Sequence, residues 1–130
     1  MIILLSLYSK VISSFSSNIS SLISLASIIL SSDKVYKEKE ITFYAPSTYY
    51  DENIKNGNIL VDGIIDLLLE KDNNYTIIDY KTDKVNTLEE LVDLYKVQLD
   101  LYEIAIKNKY NAVYVDKYIY SLHLNKYIKI

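Results

Sequence analysis

The alternation of apolar and polar residues is most informative in residues 59–83. Two runs rich in isoleucine, leucine and valine flank a Lys-Asp-Asn-Asn cluster at residues 71–74. Short apolar runs separated by a cluster of turn-forming residues predict a β-hairpin. Each run carries an aspartate, Asp66 or Asp79, where a strand of the core would otherwise carry an aliphatic residue. The two aspartates are therefore the first candidates for a functional site.

The length of the turn decides which side chains face each other across the hairpin. A four-residue loop over residues 71–74 would place Asp66 opposite Asp79. A two-residue loop at residues 73–74 would place Asp66 opposite Lys81 instead. Both alternatives leave the three side chains on one face of the sheet, because side chains alternate with a period of two. A loop with an odd number of residues would separate them.

One helix and one strand are predicted before the hairpin. Apolar residues recur at three- and four-residue steps over residues 4–29, which predicts an amphipathic helix, with a break near residues 16–20 as the alternative. Residues 34–44 alternate like a strand with an exposed charged face, and residues 45–58, with the single proline, are expected to form a loop.

The first strand of the hairpin is expected to be covered on both sides, because both of its alternating faces are largely apolar. One face would carry Ile64 and Leu68, and the other Val61, Ile65, Leu67 and Leu69.

A long helix follows the hairpin. Thr87 and Glu90 have the spacing of a capping box, which marks the start of a helix of about twenty residues. Its predicted buried stripe is Leu88, Leu91, Val92, Tyr95, Leu99, Tyr102 and Ile106. Residues 112–130 are then expected to form a last strand or a pair of strands.

A strand, a long helix and another strand in succession imply a crossover that lays the helix over the sheet. The predicted order is α-β-β-β-α-β, an α/β fold with a mixed sheet flanked by helices. At 130 residues the chain has the length of a single domain, too short to include a helicase motor. We expect residues 1–33 to form an N-terminal helical segment and residues 34–130 to form the core that carries the site.

Asp66, Asp79 and Lys81 suggest a chemistry by themselves. Like charges directly opposite each other destabilise a sheet, so two facing carboxylates need a compensating cation. Mg²⁺ prefers oxygen ligands and usually takes one or two protein carboxylates, which leaves room for water and substrate phosphate. The three side chains would suit metal-assisted hydrolysis of a phosphodiester. In that reaction the metal lowers the pKa of a bound water, and the lysine orients this water or offsets phosphate charge.

Composition narrows the classes of protein. All 14 basic residues are lysines and the net charge is −3, so overall charge does not indicate a nucleic-acid binder. Two glycines cannot supply a Walker-type nucleotide loop. Because cysteine is absent, the chain can form neither disulfides nor a cysteine-held iron–sulfur cluster, and we expect a cytoplasmic protein. Residues 1–32 lack the basic start and the cleavage site of a signal peptide and any membrane-length apolar stretch, so no membrane partner is expected.

Three short stretches occur in an order that resembles a known family. They are Gly-Ile-Ile-Asp at residues 63–66, Asp-Tyr-Lys-Thr-Asp at residues 79–83, and the Gln-x-x-x-Tyr spacing of Gln98 and Tyr102. They resemble the PD-(D/E)xK nuclease superfamily in its RecB-like branch, of the type that forms the C-terminal nuclease domain of the A subunit of bacterial AddAB helicase-nucleases. The resemblance covers about residues 34–130.

This resemblance implies a restriction-endonuclease-like fold and a Mg²⁺-dependent deoxyribonuclease of exonuclease type, with Mn²⁺ as the alternative ion. The implied biology is DNA-end processing in double-strand-break repair and recombination. The implied partners are DNA, a helicase motor and a second nuclease subunit.

The resemblance also implies residue roles. Asp66 and Asp79 correspond to the metal-binding acids, with the carbonyl of Tyr80 as a further ligand, and Lys81 corresponds to the catalytic lysine. The substrate-binding residues that it implies are Gln98, Tyr102, Tyr95 and Thr82.

The most serious departure from the family is a missing histidine; a proline-phenylalanine pair of the family is also absent, and Glu40-Ile41 stands in its place. Relatives place a histidine on the helix before the first strand, where it reaches the metal, but no histidine precedes residue 34 here. We prefer the interpretation that the chain is a fragment starting downstream of that helix; a divergent N-terminal segment and a weakened metal site are the alternatives. His123, the single histidine, lies in the C-terminal strand segment and is expected to be structural. The rival function is a non-catalytic module that uses the fold for DNA binding or subunit docking.

Two further residues have open interpretations. Gly63 either leaves space for DNA or for the long helix, or it marks a bend in the strand. Glu38 belongs either to a solvated charged face, which we prefer, or to the site as an additional acid.

Overall fold

The structure, a computed structural model, describes residues 19–130. Its elements in chain order are α1 (Ile19–Leu30), β1 (Lys34–Pro46), a short 3₁₀ helix (Ser47–Tyr49), β2 (Asn58–Lys71), β3 (Asn74–Lys81), α2 (Leu88–Tyr110), β4 (Tyr114–Ser121) and β5 (Lys126–Lys129). The predicted α-β-β-β-α-β order is confirmed, and β5 follows it. The helical pattern before residue 19, and the suggested break that begins at residue 16, lie outside the described residues.

The strands form one mixed sheet in the order β1-β2-β3-β4-β5. Neighbouring strands are antiparallel except β3 and β4, which are parallel. Parallel neighbours need a crossover connection, and α2 provides it as the pattern of strand, helix and strand predicted. The restriction-endonuclease-like α/β architecture is therefore confirmed.

The two helices bury opposite faces of the sheet. Helix α2 packs on a cluster that includes Ile65, Leu68 and Ile77, whereas α1 packs on Leu67 and Ile78. Neighbouring residues of β3 thus belong to different cores, as the period of two requires. No helix among residues 19–130 combines the length and the apolar character needed to cross a membrane.

Helix α2 begins where the capping box predicts. The Thr87 Oγ1 accepts a hydrogen bond from the Glu90 N–H at 3.4 Å, and Asn111 ends the helix in the left-handed conformation that asparagine tolerates. The predicted stripe is confirmed: four of its members are buried and three pack half-buried against the same cluster. The buried members are Leu91, Leu99, Tyr102 and Ile106, and the others are Leu88, Val92 and Tyr95.

The turn between β2 and β3 differs from both predicted loops. Its two residues are Asp72 and Asn73, both with positive φ, as type I′ hairpin turns require. The register is nevertheless the one expected from a four-residue loop, because Leu67 pairs with Ile78. Continued by one position, this register brings Asp66 opposite Asp79.

The expected alternation of β2 breaks at Asp66. Ile65 and Leu68 both belong to the α2 side, whereas Leu67 belongs to the α1 side. An unbroken period of two would have kept Ile65 with Leu67. The predicted placement of Ile64 and Leu68 on one covered face is therefore wrong, and Ile64 is 53% exposed.

Strand β1 is distorted at the same level. The pairs on either side of Glu38 and Asp66 are intact, but these two residues form no pair. Glu38 has a φ of 44°, in the left-handed region. Tyr36 and Ile41, five positions apart, consequently both pack on the α2 side. In both strands the alternation of side chains between the two sides of the sheet is therefore interrupted at the same level. In β2 the interruption lies at Asp66.

A buried lysine attaches α2 to β4. The Nζ of Lys117 on β4 lies 2.5 Å from the Asp100 Oδ1 and 2.6 Å from the Glu103 Oε2 on α2. Burial opposes ionisation of both acids, but their hydrogen bonds and the charges of nearby lysines outweigh it, so the pKa of each acid lies below its usual value. This ion pair network sets the position of α2 over the sheet.

Replacing Glu38 with glycine should stabilise the protein. A left-handed backbone costs a non-glycine residue about 1–2 kcal/mol, and glycine loses about 0.5–1 kcal/mol of this gain through its more flexible unfolded chain. Because the Glu38 side chain is exposed, we expect urea unfolding to show a gain of about 0.5–1 kcal/mol. Glu40→Gly, an exposed site on the same strand with ordinary φ, should instead lose stability. A loss of stability in both variants would contradict the strain at Glu38.

Lys117→Met should lower the free energy of unfolding by about 2 kcal/mol at neutral pH, because two charge-assisted hydrogen bonds are lost. Folding lowers the pKa of Asp100 and Glu103, so this contribution is complete above the ordinary glutamate value of 4.5 and is lost as the pH falls through the lowered values. Unfolding at neutral pH and at about pH 3 measures the change. Lys107→Met, which removes an exposed partner of Glu103, should cost under about 0.5 kcal/mol. A Lys117→Met effect that is equal at both pH values would refute this account.

Candidate active site

Asp66, Asp79 and Lys81 come together where β2 and β3 separate. The ladder between the two strands ends at Leu67 and Ile78. Beyond it, the Asp66 Oδ2 accepts a hydrogen bond from the backbone N–H of Tyr80 at 2.8 Å. A side chain thus replaces the next ladder hydrogen bond, and a gap lined by polar groups opens between the strand ends.

The Asp79 carboxylate lies on the α2 side of β3 and is 3% exposed. The Lys81 Nζ lies 2.7 Å from its Oδ2. Burial raises the pKa of Asp79 to about 6; the ion pair with Lys81 opposes the rise and the charge of Asp66 adds to it. A buried carboxyl with a raised pKa beside a second carboxylate is typical of catalytic and cation-binding sites.

The Asp79 Oδ2 accepts no hydrogen bond of normal geometry from any described residue. The Lys81 ammonium, 2.7 Å away, nevertheless forms an ion pair with this oxygen. Buried polar atoms nearly always have a partner. A buried carboxylate oxygen that is held only by an ion pair and lies next to the carboxylate of Asp66 is therefore suited to a bound cation.

The backbone of Tyr80 adds an oxygen to the same gap. Its N–H points to Asp66 on the β2 side, whereas the carbonyl of Lys81 accepts a hydrogen bond from Leu122 on the β4 side at 2.9 Å. The N–H and C=O of one strand residue point to the same neighbour, so the Tyr80 carbonyl faces the gap. The Tyr80 ring packs on the opposite face of the sheet, 6.2 Å from the ring of Tyr120.

Two carboxylates and one carbonyl are a donor set that fits a hard divalent cation such as Mg²⁺. Within residues 19–130, no group of three or more histidine, cysteine, aspartate or glutamate side chains is placed to hold a metal ion. Mg²⁺ usually takes only one or two protein carboxylates, with water and phosphate completing its coordination, so a pair of acids is compatible with this ion.

Lys81 is held by three side chains. In addition to the ion pair with Asp79, its Nζ donates to the Gln98 Oε1 at 3.1 Å and lies 3.8 Å from the centroid of the Tyr95 ring. The Tyr95 hydroxyl donates in turn to the Asp83 carboxylate at 2.9 Å. Asp83 is the one member of this group that the sequence interpretation did not assign to the site, although its position two residues after the lysine was a usable signal.

Gln98 and Tyr102 lie side by side on α2, as their spacing predicts. The Gln98 Nε2 donates to the Tyr102 hydroxyl at 3.1 Å. The Tyr102 ring lies directly over Gly63, where a Cβ would stand 2.6 Å from its Cε1. The structure therefore supports the interpretation that Gly63 leaves space for the long helix.

The remaining candidates lie at the margin. Thr82 is exposed just beyond the end of β3. Glu38 is exposed and lies across from Asp66 at the distortion of β1, and its side chain makes no ion pair within the described residues. His123 lies exposed in the turn between β4 and β5, within the C-terminal strand pair.

The sequence of residues 24–125 matches the PD-(D/E)XK nuclease superfamily. The chain belongs to this superfamily. It is also similar to two proteins that are each named as the A subunit of an ATP-dependent helicase/nuclease. The protein from Clostridium botulinum (strain Okra / Type B1) is 35% identical over 107 residues, and the protein from Ligilactobacillus salivarius (strain UCC118) is 38% identical over 104 residues.

Each of these two matches covers 78% of this chain and 8% of the relative. The chain therefore spans about 8% of the length of these curated relatives. The resemblance to the nuclease superfamily and to the A-subunit type, inferred from three short motifs, is confirmed.

Gly63→Ala should lower the free energy of unfolding by about 1–3 kcal/mol, because the Tyr102 ring must move to admit the methyl group. Removing the ring should remove most of this penalty, so Gly63→Ala in a Tyr102→Ala background should cost much less than in the wild type. Urea unfolding of the two single variants and the double variant measures the coupling. Additive effects would show that Gly63 is needed for another reason.

Proposed function

We propose that this chain is a metal-dependent DNA nuclease domain that hydrolyses phosphodiester bonds. The observation that carries the proposal is the meeting of Asp66, Asp79 and Lys81 at one gap, with a buried Asp79 oxygen that lacks a hydrogen-bonding partner among the described residues. Membership of a nuclease superfamily supports the reaction class. The net charge of −3 does not oppose it, because the acids of such a site are themselves negative and a partner can supply the contact with DNA.

Asp66, Asp79 and the Tyr80 carbonyl would hold Mg²⁺, or Mn²⁺ in its place. When bound, the ion would lower the pKa of a water and offset charge on the phosphate. The ammonium of Lys81, held beside Asp79, would orient the attacking water or stabilise negative charge that develops on the phosphate. The hydrogen bond from the Tyr80 N–H keeps Asp66 directed at the gap.

Gln98 and Tyr102 would act mainly by positioning. The carbonyl oxygen of Gln98 accepts from Lys81 and its amide nitrogen donates to Tyr102, so both polar atoms are already engaged within the protein. Thr82, which is exposed beside the site, is better placed for direct contact with the DNA strand.

We further propose residues 34–130 as the catalytic core of a larger helicase-nuclease that processes DNA ends in recombinational repair. The names of the two relatives support the presence of a helicase in the same assembly. The proposed partners are DNA, this motor and a second nuclease subunit.

A non-catalytic module remains the rival proposal because of one observation. The described residues supply two carboxylates but neither a third acid nor a histidine to a metal site. Such a chain could retain the fold for DNA binding or for docking to a partner protein.

Purified chain incubated with end-labelled linear single- and double-stranded DNA in Mg²⁺ or Mn²⁺ should release labelled fragments, and a chelator should abolish release. Asp79→Ala and Lys81→Ala should each lower the cleavage rate by about 100-fold or more, because each removes a charge at the reacting centre. Asp116→Ala and Lys129→Ala make the same charge changes at the remote pair between β4 and β5, so they should cleave normally.

Thermal unfolding separates the two proposals. The wild type should gain stability on addition of metal and Asp79→Ala should not, because a ligand stabilises the state that binds it. A folded wild-type chain that neither cleaves DNA nor gains stability with metal would support the non-catalytic module.

A further inference from the structure

Lys81 contacts an aromatic ring as well as an acid and an amide. Its Nζ lies 3.8 Å from the centroid of the Tyr95 ring, well inside the roughly 6 Å over which an ammonium is attracted to a ring face. The Lys81 side chain is 14% exposed. Because the contact is largely shielded from water, the attraction is stronger than at an exposed site.

The orientation of this ring is itself determined by an acid. The Tyr95 hydroxyl lies 2.9 Å from the Asp83 Oδ1 and 3.0 Å from its Oδ2. Asp83 follows β3, whereas Tyr95 belongs to α2, so the hydrogen bond also joins the chain after β3 to the long helix. This hydrogen bond raises the pKa of Tyr95, and the phenol therefore remains protonated and able to donate.

A lysine ammonium needs such contacts to occupy one position. The side chain is flexible along four carbons and loses much rotamer freedom when its ammonium is held in one place. Asp79 attracts the ammonium from one direction and Gln98 from another. The ring face of Tyr95 supplies a third contact, which limits the sideways movement that two polar contacts would allow.

From this geometry we propose that Asp83 and Tyr95 are a positioning pair: Asp83 fixes the Tyr95 ring, and the ring fixes the ammonium of Lys81 beside Asp79. The resemblance implied that Tyr95 binds the substrate, whereas in this proposal it acts through Lys81. Its hydroxyl and the face of its ring are both engaged within the protein, and the Asp83 charge next to it repels phosphate. The kinetic consequence of the pair rests on the proposed nuclease function, whereas the placement of Lys81 does not.

Nuclear magnetic resonance of the full chain with isotope-labelled lysine tests the placement without any need for activity. An aromatic ring shifts the resonances of protons above its face, so the side-chain protons of Lys81 should be displaced from ordinary lysine values. Tyr95→Leu should return them toward those values. Asp83→Asn, which keeps a hydrogen-bond acceptor, should retain most of the displacement, whereas Tyr95→Phe, which keeps the ring but loses the hydrogen bond to Asp83, should reduce it. Lys81→Arg assigns the signal, and Lys34, whose side chain is 63% exposed, serves as the internal reference.

The kinetic test distinguishes positioning from substrate binding. Tyr95→Leu and Asp83→Ala should lower kcat by about tenfold or more and leave KM for DNA within about twofold, because positioning affects the transition state more than ground-state binding. Asp83→Asn should recover most of the rate, whereas Tyr95→Phe, which loses the same hydrogen bond as Asp83→Ala, should lose about as much rate as Asp83→Ala. A rise in KM at unchanged kcat would assign Tyr95 to the DNA and overturn the proposal.

The two measurements test the positioning pair and the proposed nuclease function separately. Lys81 resonances that do not move in folded Tyr95→Leu would overturn the positioning pair, whatever the activity. A wild-type chain that shows the displaced Lys81 signals but no cleavage would leave the pair in place and refute the proposed nuclease function. Circular dichroism establishes whether each variant is folded. If Tyr95→Leu does not fold, Tyr95→Phe and Asp83→Asn test the positioning pair instead.

Discussion

The burial of one carboxylate is the constraint on which the site depends. Asp79 lies at the end of β3 with 3% of its surface exposed, and an isolated ionised carboxyl in such a place is strongly unfavourable. Lys81 at 2.7 Å compensates part of this charge, and Gln98 and Tyr95 hold Lys81 in place. The Asp79 Oδ2 still lacks a hydrogen bond. A site with a buried carboxylate that an ion pair compensates only in part, and with a held ammonium, is organised for a cation and a phosphate, at the expense of stability.

Helix α2 serves the core and the site with the same few turns. Leu99 faces the sheet and is fully buried, whereas Gln98, next to it in the chain, faces Lys81. The buried ion pair between Lys117 and Asp100 attaches the helix to β4 from another direction. Apolar packing and the ion pair together fix the rotation of α2 about its axis. They therefore also fix the positions of the polar residues that the helix presents to the site. Gly63 completes this arrangement, because only the absence of a side chain lets the helix approach β2 so closely.

The orientation of Asp66 depends on a distortion shared by two strands. Four of the five non-glycine residues with positive φ in the described chain are asparagine or aspartate, which tolerate it, and Glu38 is the exception. Its strained backbone lies opposite Asp66, at the level where both strands change face. Backbone strain persists where the surrounding structure requires it, and it is common at functional sites. The interpretation of Glu38 as a solvated residue describes its side chain correctly. It does not include the left-handed backbone conformation of this residue.

The sequence by itself determined the order of the elements, the start of α2 at Thr87 and its buried stripe, and the three motifs that mark the family. These features are local, because capping, helical periodicity and turn chemistry depend on residues a few positions apart. Only the tertiary structure decided the two-residue turn, the change of face at Asp66 and the contact of Asp83 with Tyr95. Each of these depends on backbone distortion or on contacts between distant elements, which a pattern with a fixed period of two cannot encode. The carboxylates could be named from the sequence, but their common gap, and the three contacts that hold Lys81 beside it, arise from packing a helix over a distorted hairpin.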